Sequence, residues 1–226
     1  MWVKICGNTN LEDAAHAAAS GADAVGFVFA ESKRRVTSAQ VAAITPHLPA
    51  AVERVGVFES RDAEEIARVA LDAGLTAVQL HGGLDEGLLE GLAEKFRGRV
   101  QIIQTLHWRV EAEPSSGGDS SARRLGLELD RLAALGIVDR VLIDSKVGGA
   151  GGGTGVAYDW NAARSIFAMA PGSLRLMVAG GLRPDNVASA IAELKPWGVD
   201  VSSGVERSPG RKDRALVENF IKNARG

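Results

Sequence analysis

Short apolar runs alternate with amphipathic helical patterns along the whole 226-residue chain. Many of the runs are continuous stretches of β-branched and other apolar residues, which is typical of parallel strands covered on both faces. We predict eight strands at residues 3–6, 24–29, 54–58, 77–81, 100–107, 140–144, 174–180 and 199–203.

Helix-start and helix-stop signals occupy the segments between these runs. Residues 9–12 have the spacing of a capping box, from Thr9 to Glu12. Asp62 and Glu65 repeat this chemistry before an apolar helical face. In a weak internal repeat, a glycine stands at four points where a helix should stop and a strand should begin within a few residues: Gly21, Gly74, Gly136 and Gly198. The pattern therefore predicts repeated βα units.

Repeated βα units with right-handed crossovers leave two main architectures, an open doubly wound sheet and a closed eight-stranded barrel. Eight strands in 226 residues, without a long interruption, favour closure. We therefore predict an α/β fold, a single (β/α)8 TIM-barrel catalytic domain over residues 1–226. The segment 111–122 is rich in Pro, Ser and Gly, which predicts a flexible surface loop after the fifth strand rather than a domain boundary.

Composition and charge narrow the classes of partner. The formal net charge is −2, which gives no global electrostatic reason to bind nucleic acid or an anionic membrane. The single cysteine, Cys6, excludes an intrachain disulfide and suits a reducing compartment. Because the chain shows neither a signal-peptide pattern nor an apolar run of about 18 residues, we expect a cytoplasmic protein.

The carboxyl ends of barrel strands are where active groups are found, and Cys6 ends the first predicted strand. Side chains alternate along a strand, so Lys4 and Cys6 should both point into the barrel if Val3 and Ile5 pack on helices. A nearby ammonium group would lower the pKa of the thiol and favour a thiolate that can act as a general base. A buried cysteine that serves only as a small hydrophobe is the alternative.

Asp144 ends the sixth predicted strand and precedes a glycine-rich segment at residues 148–155. A carboxyl group in this position can be a general acid, or it can cap backbone N–H groups of the following loop. The glycine-rich segment has neither the dinucleotide-binding spacing nor the ending of a P-loop. It can close over a ligand or serve only as a linker.

Small and polar residues end the seventh and eighth strands, at Gly180 and Gly181 and at Ser203 and Gly204. Barrels often bind phosphate between these two loops, because glycines expose backbone N–H donors and a helix N-terminus adds to them. The same composition at two adjacent strand ends predicts a phosphate site.

The remaining candidates have weaker signals. His81 ends the fourth strand and can be structural or catalytic, and the cationic run 33–35 follows the second strand, where an arginine could grip a carboxylate. The four histidines are dispersed and have no paired ligand spacing, so we expect no metal site. Nothing indicates a haem, flavin or nicotinamide cofactor.

Together these motifs resemble the phosphoribosylanthranilate isomerase family of tryptophan biosynthesis. The resemblance begins with Lys4-Ile5-Cys6-Gly7 and continues through most predicted strand ends to the last two blocks. Those blocks, at residues 200–206 and 209–213, are highly specific in combination with the first.

The resemblance implies a cofactor-free Amadori rearrangement of a phosphorylated sugar derivative. Asp144 would be the general acid that opens the ribose ring, and Cys6 would remove the C2 proton. Arg34 would bind the anthranilate carboxylate, although the adjacent Arg35 leaves that register open by one residue. The phosphate would lie against Gly180, Gly181, Ser203 and Gly204, with further substrate contacts from Lys4, His81, Gly155 and Asp200.

Two other functions stay open. A related aminoaldose isomerase of histidine biosynthesis resembles a two-aspartate solution, whereas this chain has Cys6 at the end of its first strand. A barrel that only binds a phosphorylated metabolite would need neither Cys6 nor Asp144. In either case we expect a small phosphorylated ligand, no nucleic-acid or membrane partner, and a monomer or homodimer.

Overall fold

A computed structural model describes residues 1–110, 118–147 and 160–226 of the chain. Eight strands in these ranges form the main sheet: β1 (Trp2–Ile5), β2 (Ala24–Val28), β3 (Glu53–Phe58), β4 (Ala77–Leu80), β5 (Gln101–Val110), β6 (Arg140–Val147), β7 (Arg175–Ala179) and β8 (Gly198–Val201). The helices between and after them are α1 (Leu11–Ala19), α2 (Ser38–Ala42), α3 (Ala63–Asp72), α4 (Glu86–Phe96), α5 (Gly118–Leu135), α6 (Trp160–Met169), α7 (Val187–Leu194) and α8 (Arg214–Arg225). A short antiparallel pair, β9 (Glu206–Ser208) and β10 (Arg211–Lys212), follows a 3-10 turn at Ser203–Val205.

The eight strands close into a parallel barrel, as predicted. Each strand pairs with the next in chain order, and β1 pairs with β8 from Trp2 opposite Gly198 to Ile5 opposite Val201. Because every strand is parallel, all eight carboxyl ends lie at one rim of the barrel. The candidate residues at the predicted strand ends are therefore brought to the same rim.

The strands β5 and β6 run further than the sequence predicts. Their pairing continues past His107 opposite Asp144 to Val110 opposite Val147. The prediction that His107 and Asp144 end their strands is therefore wrong by three residues. The apolar pattern fades at this point, whereas backbone pairing between the two strands does not need it.

The predicted loop 111–122 is wrong in its last part, because residues from Gly118 onward belong to α5. Gly, Asp and Ser are common in the first turns of helices as well as in loops, so composition alone does not separate the two. The rest of that loop lies outside the described residues, and so do the glycine-rich segment 148–155 and Gly155 within it.

The predicted helix starts and stops are confirmed in part. Asp62 caps α3 by accepting from the backbone of Glu64 and Glu65, and Gly74 follows α3 with a positive φ. The cap of α1 is Asn10 rather than Thr9, whose hydroxyl donates to the carbonyl of Gly210 instead. Gly198 is the first residue of β8 and not a helix stop, since α7 ends with Lys195 in the left-handed conformation.

Two apolar layers surround the strands. The larger lies between strands and helices, and the smaller fills the barrel interior with side chains that include Val55, Ile103 and Leu142. Trp2 and Trp197 stack 5.4 Å apart at the amino end of the barrel. Beside this pair of rings, Arg140 is buried and donates to Glu53, so the amino end combines aromatic packing with an ion pair. In the described ranges, we find no helix with the length and apolar character needed to cross a membrane.

Candidate active site

Lys4 crosses the barrel interior just below the carboxyl rim. Its side chain is 1% exposed, and its Nζ donates to Gln79 Oε1 at 2.7 Å and to Asp200 Oδ1 at 3.1 Å. Gln79 in turn donates from Nε2 to the hydroxyl of Thr105. Burial alone would lower the pKa of Lys4, but the charges of Asp200 and Cys6 outweigh it and raise the pKa. Lys4 is therefore a fixed cation inside the barrel, as the alternation of β1 predicts.

Cys6 lies directly after β1 and is buried, with its backbone N–H donating to Val201. Its sulfur occupies space left by Gly26, where an added Cβ would lie 2.7 Å from Sγ. Burial raises the pKa of the thiol, Lys4 lowers it, and the net effect is a raised pKa. The expectation that Lys4 lowers this pKa is confirmed for the effect of Lys4 itself, but burial of the thiol outweighs that effect.

Asp144 lies on β6 between two histidine rings. Its Oδ2 is 3.7 Å from His81 Nε2 and 3.7 Å from His107 Nδ1. His107 Nε2 is 2.9 Å from the backbone carbonyl of His81, and the two rings meet edge to face with centroids 4.5 Å apart. Two of the four dispersed histidines are thus brought together by the fold, and His107 is a residue of this cluster that sequence reasoning missed.

Asp200 lies on β8 and accepts from Lys4, and its charge influences the pKa of the Cys6 thiol. The charge of Asp144 in turn raises the pKa of Asp200. The structure thus brings Cys6, Lys4, Asp144 and Asp200 to one end of the barrel. This is the arrangement that an acid and a base acting on one small substrate require.

Glu206 is a second centre of charge that the sequence did not single out. Its carboxylate accepts from Arg34 Nε at 2.8 Å and from Arg34 Nη2 at 2.6 Å, and from Lys212 Nζ at 3.1 Å. Lys212 also donates to the backbone carbonyls of Cys6 and Ser202. Glu206 therefore ties the loop after β2 to the strand ends of β1 and β8.

Arg34 and Arg35 have different surroundings. The Arg34 side chain is 23% exposed and packs over Gly7, where an added Cβ would lie 2.6 Å from its Cδ. Arg35 is 60% exposed and pairs with Glu31 on the surface. Arg34 is therefore the arginine that faces the carboxyl rim.

The loops after β7 and β8 touch each other. Gly180 and Gly181 have φ values of +99° and +64°, which residues other than glycine rarely adopt. An added Cβ at Gly204 would lie 1.8 Å from the carbonyl oxygen of Leu182. Ser203 begins the 3-10 turn beside it. The four residues predicted to bind phosphate thus lie on two loops in direct contact.

A closed barrel of parallel strands with ionisable side chains gathered at its carboxyl rim defines an enzyme of the (β/α)8-barrel class. The sequence model of the N-(5'-phosphoribosyl)anthranilate (PRA) isomerase family matches residues 3–223. The chain therefore belongs to the PRA isomerase family.

Individual relatives agree with this assignment. The chain is 42% identical to N-(5'-phosphoribosyl)anthranilate isomerase of Thermotoga neapolitana and 41% identical to that of Rubrobacter xylanophilus; each alignment covers 99% of this chain and 98% of the relative. The crystal structure of the Thermotoga maritima enzyme superposes with a TM-score of 0.83 at 39% identity, covering 100% of this chain and 99% of that one. A phosphoribosyl anthranilate isomerase in complex with reduced 1-(o-carboxyphenylamino)-1-deoxyribulose 5-phosphate gives 0.80 at 37%, with the same coverage.

The charge cluster at Glu206 should make a pH-dependent contribution to stability. Burial would raise the pKa of Glu206, but Arg34 and Lys212 outweigh it and lower the pKa. Such a carboxylate stabilises the fold fully above its ordinary pKa and loses that contribution as the pH falls through its lowered value. We expect Glu206→Gln to reduce the free energy of unfolding by about 1–3 kcal/mol near neutral pH.

Urea denaturation of the wild type and the variant at several pH values measures this contribution. The difference should shrink as the pH falls toward the acid range, because glutamine does not titrate. Glu90→Gln, an exposed position on α4, is the matched control and should have little effect at any pH. A difference between wild type and Glu206→Gln that stays constant with pH would contradict the ion-pair assignment.

Proposed function

We propose that this chain converts N-(5'-phosphoribosyl)anthranilate to 1-(2-carboxyphenylamino)-1-deoxyribulose 5-phosphate, the Amadori rearrangement of tryptophan biosynthesis. The observation that supports the mechanism is that Cys6 and Asp144 lie at the same rim of the barrel, Cys6 beside the end of β8 and Asp144 beside the end of β7. The full-length match to the PRA isomerase family supports the substrate.

The first step is ring opening. Asp144 donates a proton to the ribose ring oxygen, the bond between C1 and that oxygen breaks, and C1 and the anthranilate nitrogen form an iminium. His81 and His107 hold the Asp144 carboxyl group from two sides. A general acid of this kind typically contributes about 100- to 10,000-fold to the rate.

The second step is proton removal from C2. The Cys6 thiolate takes this proton, and the electron pair of the C–H bond moves to form the C1–C2 double bond of an enolamine. The enolamine tautomerises to the ketone, with a proton added at C1 and the C2 hydroxyl proton lost. The cycle closes when the thiol proton returns to Asp144 through solvent, so no cofactor takes part.

Lys4 and Asp200 are proposed to position the Cys6 thiol and to influence its pKa. The Lys4 ammonium is held by Gln79 and Asp200 and opposes the cost of burying a thiolate. These two residues therefore act chiefly through Cys6, and His81 acts through Asp144. Gly155 is kept as a candidate substrate contact on the resemblance alone.

Arg34 is the proposed partner of the anthranilate carboxylate. Its guanidinium carries five N–H donors, and two of its nitrogens are engaged by Glu206. The remaining donors can meet a substrate carboxylate while Glu206 holds the plane of the guanidinium. The greater burial of Arg34 supports it over Arg35 for this role.

The phosphate is proposed to bind between the loops that carry Gly180, Gly181, Ser203 and Gly204. The close approach of Gly204 to Leu182 sets the distance between these loops. We expect Gly204→Ala to push the loops apart and raise KM about tenfold or more, since a displacement near 1 Å at a binding group is costly. Steady-state kinetics with Gly126→Ala as control measures this, because a Cβ at Gly126 meets no atom within 4 Å. An unchanged KM would place the phosphate elsewhere.

The chain is further proposed to act as one catalytic domain over residues 1–226, in the cytoplasm, as a monomer or homodimer without nucleic-acid or membrane partners. One solved structure of a relative is of monomers generated from the dimeric Thermotoga maritima enzyme. This supports considering both a monomer and a homodimer for the present chain. Light scattering coupled to size-exclusion chromatography measures the mass of the purified chain and decides between them.

Complementation and a two-substrate assay test the proposed activity. Expression of the chain should restore growth of a tryptophan auxotroph that lacks this isomerase, and the Cys6→Ala variant should not. The purified protein should isomerise the anthranilate substrate and not the aminoaldose of histidine biosynthesis. Turnover of the second substrate alone would replace the proposed activity, and binding without turnover would indicate a sensor.

A further inference from the structure

Three side chains that can ligate a metal lie together at the carboxyl rim. His81 follows β4, His107 lies on β5 and Asp144 lies on β6. The candidate donor atoms of His81, His107 and Asp144 all lie within 4.8 Å of one another. The Asp144 oxygen is 3.7 Å from a nitrogen of each ring. Two imidazoles and one carboxylate are a donor set that divalent transition metals prefer in proteins.

The spacing is close to that of a bound metal. Ligands about 2.0–2.2 Å from a tetrahedral Zn²⁺ lie roughly 3.3–3.6 Å from one another. The two distances of 3.7 Å are close to this range, and side-chain rotations that bring together the two imidazole nitrogens, which lie within 4.8 Å of each other, complete the coordination geometry. The three side chains are 16% to 24% exposed, so an ion can reach them from solvent.

The hydrogen bond on the far side of the His107 ring also suits a metal ligand. Metal-bound histidines usually donate their other ring N–H to a carboxylate or a backbone carbonyl, which fixes the tautomer. His107 Nε2 lies 2.9 Å from the backbone carbonyl of His81, in position to donate to it. With the proton on Nε2, the lone pair of Nδ1 points toward Asp144. This contact is a second observation, independent of the clustering, that favours ligation.

We propose that His81 Nε2, His107 Nδ1 and Asp144 Oδ2 bind one Zn²⁺ ion, with a fourth position open to water, and that the bound ion inhibits the isomerase. Inhibition follows because a metal-bound carboxylate cannot carry the proton needed for ring opening. The inhibitory part rests on the proposed role of Asp144, whereas the binding part rests only on the three side chains.

Isothermal titration calorimetry with Zn²⁺ in phosphate-free buffer tests the site directly. The wild type should bind about one equivalent. His107→Gln keeps an amide near Nε2 and removes Nδ1, and His81→Asn keeps an amide near Nδ1 and removes Nε2. Each variant should weaken binding at least about tenfold. His47→Asn, at an exposed histidine away from the cluster, should bind as the wild type does.

Cys6 is the competing ligand and needs its own variant. Cys6→Ala should retain Zn²⁺ binding, and Co²⁺ bound to the wild type should show no thiolate-to-metal charge-transfer band. Loss of binding in Cys6→Ala, or wild-type binding in both histidine variants, would overturn the site. So would the absence of measurable binding at millimolar Zn²⁺.

Steady-state assays complete the test. Zn²⁺ should inhibit isomerisation with a constant that matches the calorimetric Kd, and a chelator should restore the rate. Binding without inhibition would overturn the blocking role of the ion. If the chain isomerises neither substrate, the proposed function fails, while calorimetry on the histidine variants still decides whether the metal site exists.

Discussion

Replacing Cys6 by alanine should lower kcat at least about a hundredfold, because Cys6 is the group that removes the C2 proton in the proposed mechanism. The substitution removes one buried sulfur beside Gly26 and leaves the Lys4 network in place. Affinity for a phosphorylated product analogue should stay within a few fold of the wild type. Stopped-flow or steady-state assays give kcat, and calorimetry gives the affinity.

The pH profile of the wild type provides the control for this assignment. Burial raises the pKa of the Cys6 thiol, so most of the enzyme carries the protonated thiol at neutral pH. Because the thiolate is the base, its ultraviolet absorbance, taken as the difference between the wild type and Cys6→Ala, should increase as the pH rises toward that pKa. A near-normal kcat in Cys6→Ala, or a difference spectrum that shows no thiolate at any pH at which the protein stays folded, would exclude Cys6 as the base.

Replacing Asp144 by asparagine should also lower kcat at least about a hundredfold, because the amide has the same shape but cannot protonate the ring oxygen. The neighbouring His81 and His107 can still contact the amide, so folding and ligand affinity should change little. Circular dichroism and binding of a phosphorylated product analogue separate loss of chemistry from loss of structure.

Asp139→Asn is the matched control for that variant. Asp139 directly precedes β6 at the opposite end of the barrel, where it pairs with Arg175. The same chemical change there should leave kcat close to that of the wild type. Equal losses in the two variants would mean that Asp144 acts on stability rather than on the reaction.

The barrel could be predicted because each of its strands carries a local signal. Continuous apolar runs such as 141–143 identify buried parallel strands, and the number of such runs favours closure. The extensions of β5 and β6 could not be predicted, since they depend on pairing between strands more than thirty residues apart in the chain. Likewise the choice of Asn10 over Thr9 as cap depends on the contact of Thr9 with Gly210, 201 residues away.

The residues of the site also divide into those with a local signal in the sequence and those that depend on long-range contacts. Cys6, Lys4 and Asp144 could be located from strand alternation and strand ends, which are local properties. Glu206 and Lys212 were not recognised, because their importance arises from contacts with Arg34 and with the Cys6 carbonyl across the fold. The net pKa of the Cys6 thiol could not be predicted for a related reason: the sequence shows the neighbouring lysine, which lowers the pKa, but not the depth of burial, which raises it by more.

The contact between Lys4 and Asp200 joins residues 196 positions apart. An ammonium group in the first strand is thus left without its carboxylate until the last strand has been synthesised. Sequestering that cation earlier would be costly, since an unpaired buried charge is strongly unfavourable. Nascent chains on the ribosome should accordingly complete the barrel late, after nearly the whole polypeptide has emerged, rather than by stepwise addition of stable units from the amino terminus.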